Sequence, residues 1–165
     1  MPSIRNLRRV VGAALAAGAL LAPAVASADD QNVYNAFHNS HPRFKELRRD
    51  FERGEDNWAR SEWRDPSEAY SALRKTQRLA EVVMERLRER KTSTTTGEKA
   101  RRRSVRGINH RRKWSVTMRK AIEAFMRYDG SMYIELKDRA EGYLDTAQRY
   151  EEKAQQLWEQ TDVKG

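Results

Sequence analysis

The sequence contains no cysteine among its 165 residues. Disulfide bonds, thiol catalysis and thiolate metal sites are therefore excluded, and the folded chain has to be stable by packing alone. Catalytic motifs are missing as well: there is no GxSxG nucleophile motif, no Gly-rich phosphate-binding loop and no HExxH metal-binding pattern. The carboxylates recur at ion-pair spacing on outward helix faces, an environment that does little to activate a carboxyl group. We predict no enzymatic activity and no cofactor.

Long apolar runs are also scarce. The main one, Val10 to Leu21, spans twelve residues, whereas a membrane-spanning helix needs about 20. Three arginines precede this run, and the small-residue triplet Ala26-Ser27-Ala28 follows it. Such a three-part layout is typical of a cleaved secretory signal. We predict a signal peptide at residues 1–28 and a periplasmic or extracellular location for the exported protein.

Two export routes fit this signal. The pair Arg8-Arg9 followed by two valines resembles a twin-arginine signal, which exports folded proteins. Leu7 precedes the pair where that signal has a polar residue, and this favours export of the unfolded chain. Cleavage leaves residues 29–165, a suitable length for one helical domain. It also lowers the formal net charge from +9 to +6, because the signal contains three arginines and no acidic residue.

Nothing in the mature sequence indicates a strand, whereas helical periodicity is sustained over most of its length. We predict an all-α fold: an antiparallel bundle of three long helices at about 66–91, 99–128 and 131–160. One or two shorter helices and a Trp-containing connector are expected within residues 29–64. The mean hydropathy of −0.96 is typical of disordered chains, but heptad spacing this long argues against disorder.

Heptad seams define the long helices. Asp65-Pro66-Ser67-Glu68 predicts a helix start, with Asp65 as the N-cap and proline at the first helical position. The first seam consists of Ala69, Leu73, Thr76, Ala80, Val83 and Leu87, and the middle helix is indicated by Trp114, Met118, Ile122 and Phe125. The last seam consists of Tyr133, Leu136, Ala140, Tyr143, Ala147, Tyr150, Ala154 and Leu157. Asp129-Gly130 predicts a tight turn between antiparallel neighbours.

The N-terminal region is less regular. Helical spacing of its aromatic residues is interrupted at Ser40-His41-Pro42, where Ser40 is suited to cap a second helix. We expect Gly54 to end that helix. Trp58 and Trp63 are predicted to lie in a connector that covers one end of the bundle.

Cationic residues are concentrated in one stretch, Lys99 to Lys113, which reads KARRRSVRGINHRRK and contains eight of them and no acidic residue. Two interpretations stay open. The stretch is either a solvated helix face, partly neutralised by neighbouring acids, or a surface that binds a polyanion through positioning contacts. The candidate polyanion-binding residues are Arg101, Arg102, Arg103, Arg106, Arg112 and Lys113.

Helical geometry divides this stretch. At 100° per residue, an outward stripe is formed by Lys99, Arg102, Arg106, Lys113 and Lys120. Arg111 instead falls on the packing seam, and antiparallel pairing places it level with about residue 147. We predict that Arg111 pairs with Asp145 or Glu151. Because the seam loses its apolar character there, the first half of this helix is expected to be less well anchored than the second.

For an exported protein, the accessible anionic partners are lipid headgroups, cell-wall or polysaccharide polyanions and extracellular nucleic acid, but not cytosolic nucleic acid. The alternative function is an envelope helical chaperone or protein-interaction scaffold whose charge serves only solubility. Envelope chaperones of the Spy type are also small, basic and cysteine-free, but their LTxxQ motif is missing here. An exposed apolar cleft would favour the scaffold, whereas a closed bundle with one cationic end would favour the anion binder. Met84, Met118, Met126 and Met132 are the candidates for such an apolar patch, although methionines at helical spacing more often lie in the core.

His38 and His41 are the remaining candidates for a site. Their spacing of three residues can place two imidazoles on one metal ion. Pro42 and the cap at Ser40 are expected to break the helix at this point, and no further ligand pattern accompanies the pair. We therefore predict surface or capping roles for both histidines and no metal site.

Overall fold

The computed structural model describes residues 28–161 and 163 of the chain. The predicted signal peptide therefore lies, apart from Ala28, outside the described residues. Five helices are present: α1 (Ala28–His38), α2 (His41–Arg60), α3 (Ser67–Glu89), α4 (Thr95–Met126) and α5 (Gly130–Glu159). No strand occurs among the described residues. The predicted all-α bundle of three long helices plus one or two shorter N-terminal helices is confirmed.

The three long helices run antiparallel to their sequence neighbours, and α4 packs against both α3 and α5. The second helix packs on α3, and the short α1 lies against α3 and α4. One group of buried side chains, which includes Phe37, Leu87 and Trp158, fills the half of the bundle near the α3–α4 connection. A second group, which includes Phe51 and Trp114, fills the other half. We call that other end, where α2 joins α3 and α4 joins α5, the hairpin end.

The predicted seam of α3 is confirmed, since all six of its residues are buried. The predicted seam of α5 is only partly right. Its three alanines are buried, but the buried stripe continues through Leu144, Glu151 and Trp158, whereas Tyr143 and Tyr150 stay partly exposed. The alanines allow α4 to approach closely, so the larger tyrosines fit only at the margin of the interface.

Gly54 does not end α2, contrary to the prediction, and the helix continues to Arg60. The reason for this glycine is packing. A Cβ atom at Gly54 would lie 2.5 Å from the backbone nitrogen of Ala69, so α2 and the start of α3 touch at this point. Trp58 consequently lies in α2 and is buried, and only Trp63 belongs to the connector.

Two helix starts differ in detail from the predictions. Helix α3 begins at Ser67 with Pro66 as its N-cap residue. The Asp65 carboxylate nevertheless accepts a hydrogen bond from the Ser67 amide at 3.0 Å, which satisfies a free amide of the first turn. Ser40 occupies the N-cap position of α2, but its hydroxyl donates backwards to the Phe37 carbonyl.

Helix α4 begins at Thr95, four residues earlier than expected. The Thr94 hydroxyl accepts a hydrogen bond from the Gly97 amide at 2.9 Å, as an N-cap side chain does. The same hydroxyl donates to the buried carboxylate of Asp30 at 2.6 Å, and the Ser93 amide donates to that carboxylate at 2.8 Å. This shared carboxylate fixes α1 to the start of α4.

Candidate functional site

The basic stretch at 99–113 is helical and packed along its whole length as part of α4. Its buried side consists largely of small residues, among them Ala100, Ser104 and Gly107. A Cβ atom at Gly107 would lie 2.8 Å from Cγ of Glu151, so α5 packs directly on the α4 backbone. In this half of the helix, close backbone approach takes the place of large apolar side chains, and the weaker anchoring stays a prediction.

Arg111 extends from α4 into the core between α2 and α5. Its Nε and Nη2 atoms donate to the two carboxylate oxygens of Glu151, each at 2.6 Å, which confirms the predicted pairing. The two side chains are only 13% and 7% exposed. Burial alone would raise the pKa of Glu151, but the contacts with His41 and Arg111 outweigh burial and lower that pKa. Arg111 is thus a paired residue of the core.

Arg101 and Arg102 share one carboxylate. Arg101 donates to Glu98 through Nε and Nη2 at 2.8 Å each, and Arg102 donates through Nε at 2.7 Å. The hydrogen bonds from Arg101 are the main cause that lowers the pKa of Glu98, and the hydrogen bond from Arg102 lowers it further. The pKa is about 2, below its usual value. Arg101 also donates to the Leu87 carbonyl at 3.0 Å, near the end of α3. Its role is to join α3 to α4.

Arg112 lies on the side of α4 that faces α3. Its Nη1 atom is 3.8 Å from Oε1 of Glu81 on that helix. Three of the six candidate residues, Arg101, Arg102 and Arg112, therefore have carboxylate partners. For this half of the candidate set, the neighbouring acids neutralise much of the charge.

The other three candidates are Arg103, Arg106 and Lys113. None of them has a carboxylate within ion-pair distance in the described part of the chain. Their spacing of three and seven residues places them on one side of α4. The Lys113 ammonium lies 5.5 Å from the centre of the Tyr143 ring, so this side of α4 borders α5.

His110 lies on the same side of α4 and contacts two tyrosines of α5. Its ring stacks on Tyr150 at 5.6 Å with an angle of 21° between the planes, and it lies 5.8 Å from the Tyr143 ring. Burial, and then the charge of Lys113, lower the pKa of His110 below its usual value. Lys153 follows Tyr150 by three residues and lies on the same side of α5.

We call this surface the α4–α5 face. It consists of Lys99, Arg103, Arg106, His110, Lys113 and Lys120 of α4 with Tyr143, Tyr150 and Lys153 of α5. Threonines occupy the intervening positions 117 and 146, and no acidic residue interrupts this pattern. From Lys99 to Lys120 the helix rises roughly 32 Å, at about 1.5 Å per residue. The face is therefore a long cationic strip with aromatic rings beside it.

The sequence pattern did not reveal the tyrosines of this face, because it assigned Tyr143 and Tyr150 to the packing seam of α5. The signal that identifies them is the alternation of small and large residues. The alanines at 140, 147 and 154 are fully buried, and the tyrosines between them are not. In such a pattern the alanines mark the contact line, and the large residues mark its margin.

His38 and His41 do not converge on a common point. The Nδ1 atom of His38 lies 3.1 Å from the Tyr34 hydroxyl, and Nδ1 of His41 lies 3.0 Å from the Phe37 carbonyl oxygen. The Nε2 atom of His41 is 3.5 Å from the carboxylate of Glu151. Within residues 28–161 and 163 no group of three His, Cys, Asp or Glu side chains could hold a metal ion.

None of the helices in the described range is long and apolar enough to cross a membrane. No protein-family model matches the chain, and no curated protein or solved structure shows a significant match to it.

Proposed function

We propose that the protein binds an extended anionic polymer along the α4–α5 face and catalyses no reaction. The observation that supports this proposal is the division of the basic stretch. Arg103, Arg106 and Lys113 have no carboxylate partner in the described structure and share one side of α4. The remaining candidates are paired with Glu98 or Glu81.

A linear polymer suits this face better than a compact anion does. The cations are distributed over roughly 32 Å of helix and do not converge on one cavity, so each contacts a different charged group of the ligand. Guanidinium groups bind phosphate and carboxylate in pairs of hydrogen bonds. The rings of His110, Tyr143 and Tyr150 offer apolar surface for a sugar or base between these contacts.

The contacts that this face can make would hold a ligand in position, but they would not recognise a nucleotide sequence. Acidic polysaccharides, wall phosphate polymers and extracellular nucleic acid share the required chemistry, which is a regular row of anionic groups. Which of them the protein meets depends on export, and export is the prediction from residues 1–28. The helical scaffold is the alternative function, in which the α4–α5 face serves only solubility.

Retention on immobilised heparin across a sodium chloride gradient tests the proposal. The test variant is Arg103→Gln/Arg106→Gln/Lys113→Gln, which removes three unpaired cations from the face. The matched control is Arg74→Gln/Lys75→Gln/Arg78→Gln, which removes three exposed cations of α3 that likewise have no ion-pair partner in the described structure. We expect the test variant to elute at clearly lower salt than the control. Equal elution of the two variants would mean that net charge alone is responsible and would contradict the proposal.

A further inference from the structure

Helices α2 and α5 flank an open groove, which we call the α2–α5 groove. Helix α2 packs on α3 and has no extensive contact with α5. Long side chains join the two helices instead: the Lys137 ammonium lies 3.0 Å from the carboxylate of Glu55. The space between the helices is about 1200 Å³, whereas a small-molecule pocket has roughly 300–1,000 Å³. The groove can therefore hold a ligand larger than a small metabolite.

The two walls of the groove carry opposite charges that do not pair across it. Lys45 and Arg49 of α2 line one wall, and Glu152 and Glu159 of α5 line the other. All four residues are exposed, and none has an ion-pair partner in the described part of the chain. Because opposite charges attract, their separation marks a space wider than an ion pair. A ligand that neutralises both walls needs anionic and cationic groups.

The floor of the groove is a fixed set of charged side chains. Glu151 is only 7% exposed, and its carboxylate accepts both hydrogen bonds from Arg111. The Nε2 atom of His41 lies 3.5 Å from the same carboxylate. These three residues come from α5, α4 and α2, so the floor is held in place from three helices. A preformed floor lowers the cost of ordering the site when a ligand binds.

Arg48 provides a hydrogen-bond donor that the described structure leaves unused. Its guanidinium lies 5.0 Å from the centre of the Trp114 ring, and its Nε atom donates to Glu52 at 2.7 Å. The buried Nη1 atom has no hydrogen-bond partner among the described residues, since the Glu141 carboxylate is 3.6 Å away. Buried donors are nearly always paired. An anionic ligand group in the groove would supply the missing acceptor.

Amide side chains of α5 lie between the charges. Gln148 and Gln156 line the groove and have no hydrogen-bond partner within the described residues. A free amide group can both donate to and accept from a peptide bond. The α5 wall extends from Leu144 to Glu159, a length of roughly 22 Å at about 1.5 Å per residue. An extended peptide of about six or seven residues has this length.

We propose that the α2–α5 groove binds a short extended peptide with alternating acidic and basic side chains. Successive side chains of an extended chain point to opposite sides, so the acidic groups face the α2 wall and the basic groups face the α5 wall. A polyanion does not suit the groove, because the acids of α5 repel it. The hairpin end differs, since its exposed side chains at Trp63, Tyr128 and Ile134 are large and hydrophobic. Peptide binding here is independent of polymer binding by the α4–α5 face.

Titration of the protein with capped hexapeptides, followed by two-dimensional NMR at low salt, tests the proposal. The probe is an acetylated and amidated peptide of three Glu-Lys repeats, which has no net charge. Its control has three glutamates followed by three lysines, a sequence that cannot present one charge to each wall. Exposed ion pairs are individually weak, so we expect the alternating peptide to bind about fivefold more tightly. The side-chain amide signals of Gln148 and Gln156 should shift.

Variants of each wall locate the binding site. Lys45→Gln/Arg49→Gln and Glu152→Gln/Glu159→Gln should each weaken binding of the alternating peptide by about fivefold. A variant with Lys45→Glu, Arg49→Glu, Glu152→Lys and Glu159→Lys exchanges the charges of the two walls. It should bind the alternating peptide as tightly as the wild type does, because the peptide can bind with its two sides exchanged. This recovery would also show that the altered walls still fold.

The matched controls change exposed residues of α3 that also lack ion-pair partners in the described structure. Arg74→Gln/Arg78→Gln matches the loss of two cations, and Glu85→Gln/Glu89→Gln matches the loss of two acids. Both controls should bind the alternating peptide like the wild type. Losses equal to those of the wall variants would mean that net charge alone is responsible and would overturn the proposal.

Three other results would overturn it. One is equal binding of the alternating and the blocked peptide, and another is no binding of either at millimolar concentration. The third is loss of binding in Arg103→Gln/Arg106→Gln/Lys113→Gln but in neither wall variant, which would assign the peptide to the α4–α5 face. Heparin retention is measured separately, so the two proposals can fail independently.

Discussion

The side chain of Arg111 shows how one residue can belong to a basic stretch in sequence and to the core in the structure. Its guanidinium lies 5.2 Å from the centre of the Phe44 ring and forms two hydrogen bonds with Glu151. A charge in the interior is tolerated only with such a partner, because desolvation is costly. The heptad pattern identified Arg111 because it is the one cation between Lys99 and Lys113 that falls on the packing seam of α4.

Glu151→Gln should destabilise the protein by about 3–5 kcal/mol, because it leaves the buried guanidinium of Arg111 without a countercharge. Chemical denaturation at neutral pH measures the change. Glu81→Gln is the control: it removes the partner of Arg112 in an exposed pair, which is worth only about 0–1 kcal/mol. Similar losses for the two variants would mean that the Arg111–Glu151 pair is solvated and is not part of the core.

Gly54 and Gly142 differ in the space available for a side chain. Gly54→Ala should destabilise the protein by about 1–3 kcal/mol, because the new Cβ would meet the Ala69 backbone. Gly142→Ala should instead stabilise it by up to about 1 kcal/mol, since the added Cβ would meet no side chain and no other element within 4 Å. Thermal unfolding of both variants measures the difference. Stabilisation by Gly54→Ala would contradict the close contact between α2 and α3.

At the scale of elements, the α3–α4 connection is held by a compact polar network. Glu98 in the first turn of α4 binds Arg101 and Arg102, and Arg101 reaches back to the Leu87 carbonyl. The last carbonyls of a helix lack intrahelical partners, so this contact satisfies one of them. The arginines at 101 and 102 are therefore expected to affect stability more than ligand binding.

This network predicts a specific pH dependence. The pKa of Glu98 is about 2 in the folded protein, below the ordinary value of 4.5, so the unfolded chain binds this proton more readily. The carboxylate consequently contributes stability above about pH 4.5, and the contribution is lost as pH falls towards 2. The difference in unfolding free energy between wild type and Glu98→Gln should be largest near neutral pH and should vanish at the acid limit. If the difference in unfolding free energy between the two proteins did not change with pH, the low pKa of Glu98 would be contradicted.

The long helices could be predicted from sequence because their caps and seams are local signals. The six seam residues of α3 are all buried, as their spacing indicates. The C-terminal end of α2 could not be predicted, because a glycine such as Gly54 often ends a helix. Here the glycine is needed for close packing against the backbone of Ala69, which is fifteen residues away in the sequence. The predicted burial of Tyr143 and Tyr150 failed for a related reason. Heptad spacing identifies the stripe of α5 that faces the bundle, but it does not show which residues of the stripe lie at the margin of the interface.

At the scale of the whole molecule, the bundle separates two kinds of surface. The α4–α5 face is cationic along its length, and the hairpin end is apolar and aromatic. The location of the basic stretch and the inward position of Arg111 were evident from sequence, whereas the partner of Arg112 was not. Arg101 and Arg102 pair with Glu98 at i,i+3 and i,i+4 within α4, a spacing visible in the sequence. Arg112 pairs with Glu81 of another helix, and contacts between helices cannot be counted along the chain.

In the proposed function, Arg103, Arg106 and Lys113 contact a linear polyanion directly. The most direct measurement is the affinity for a fluorescent single-stranded oligodeoxythymidylate as a function of sodium chloride concentration. Each direct contact with such a strand adds about 0.7 to the slope of log K against log salt. We expect Arg103→Gln/Arg106→Gln/Lys113→Gln to lower the magnitude of this slope by about 2 and Arg74→Gln/Lys75→Gln/Arg78→Gln to leave it unchanged. Equal slopes for the two variants, or binding by wild type that does not weaken with salt, would contradict the proposed function.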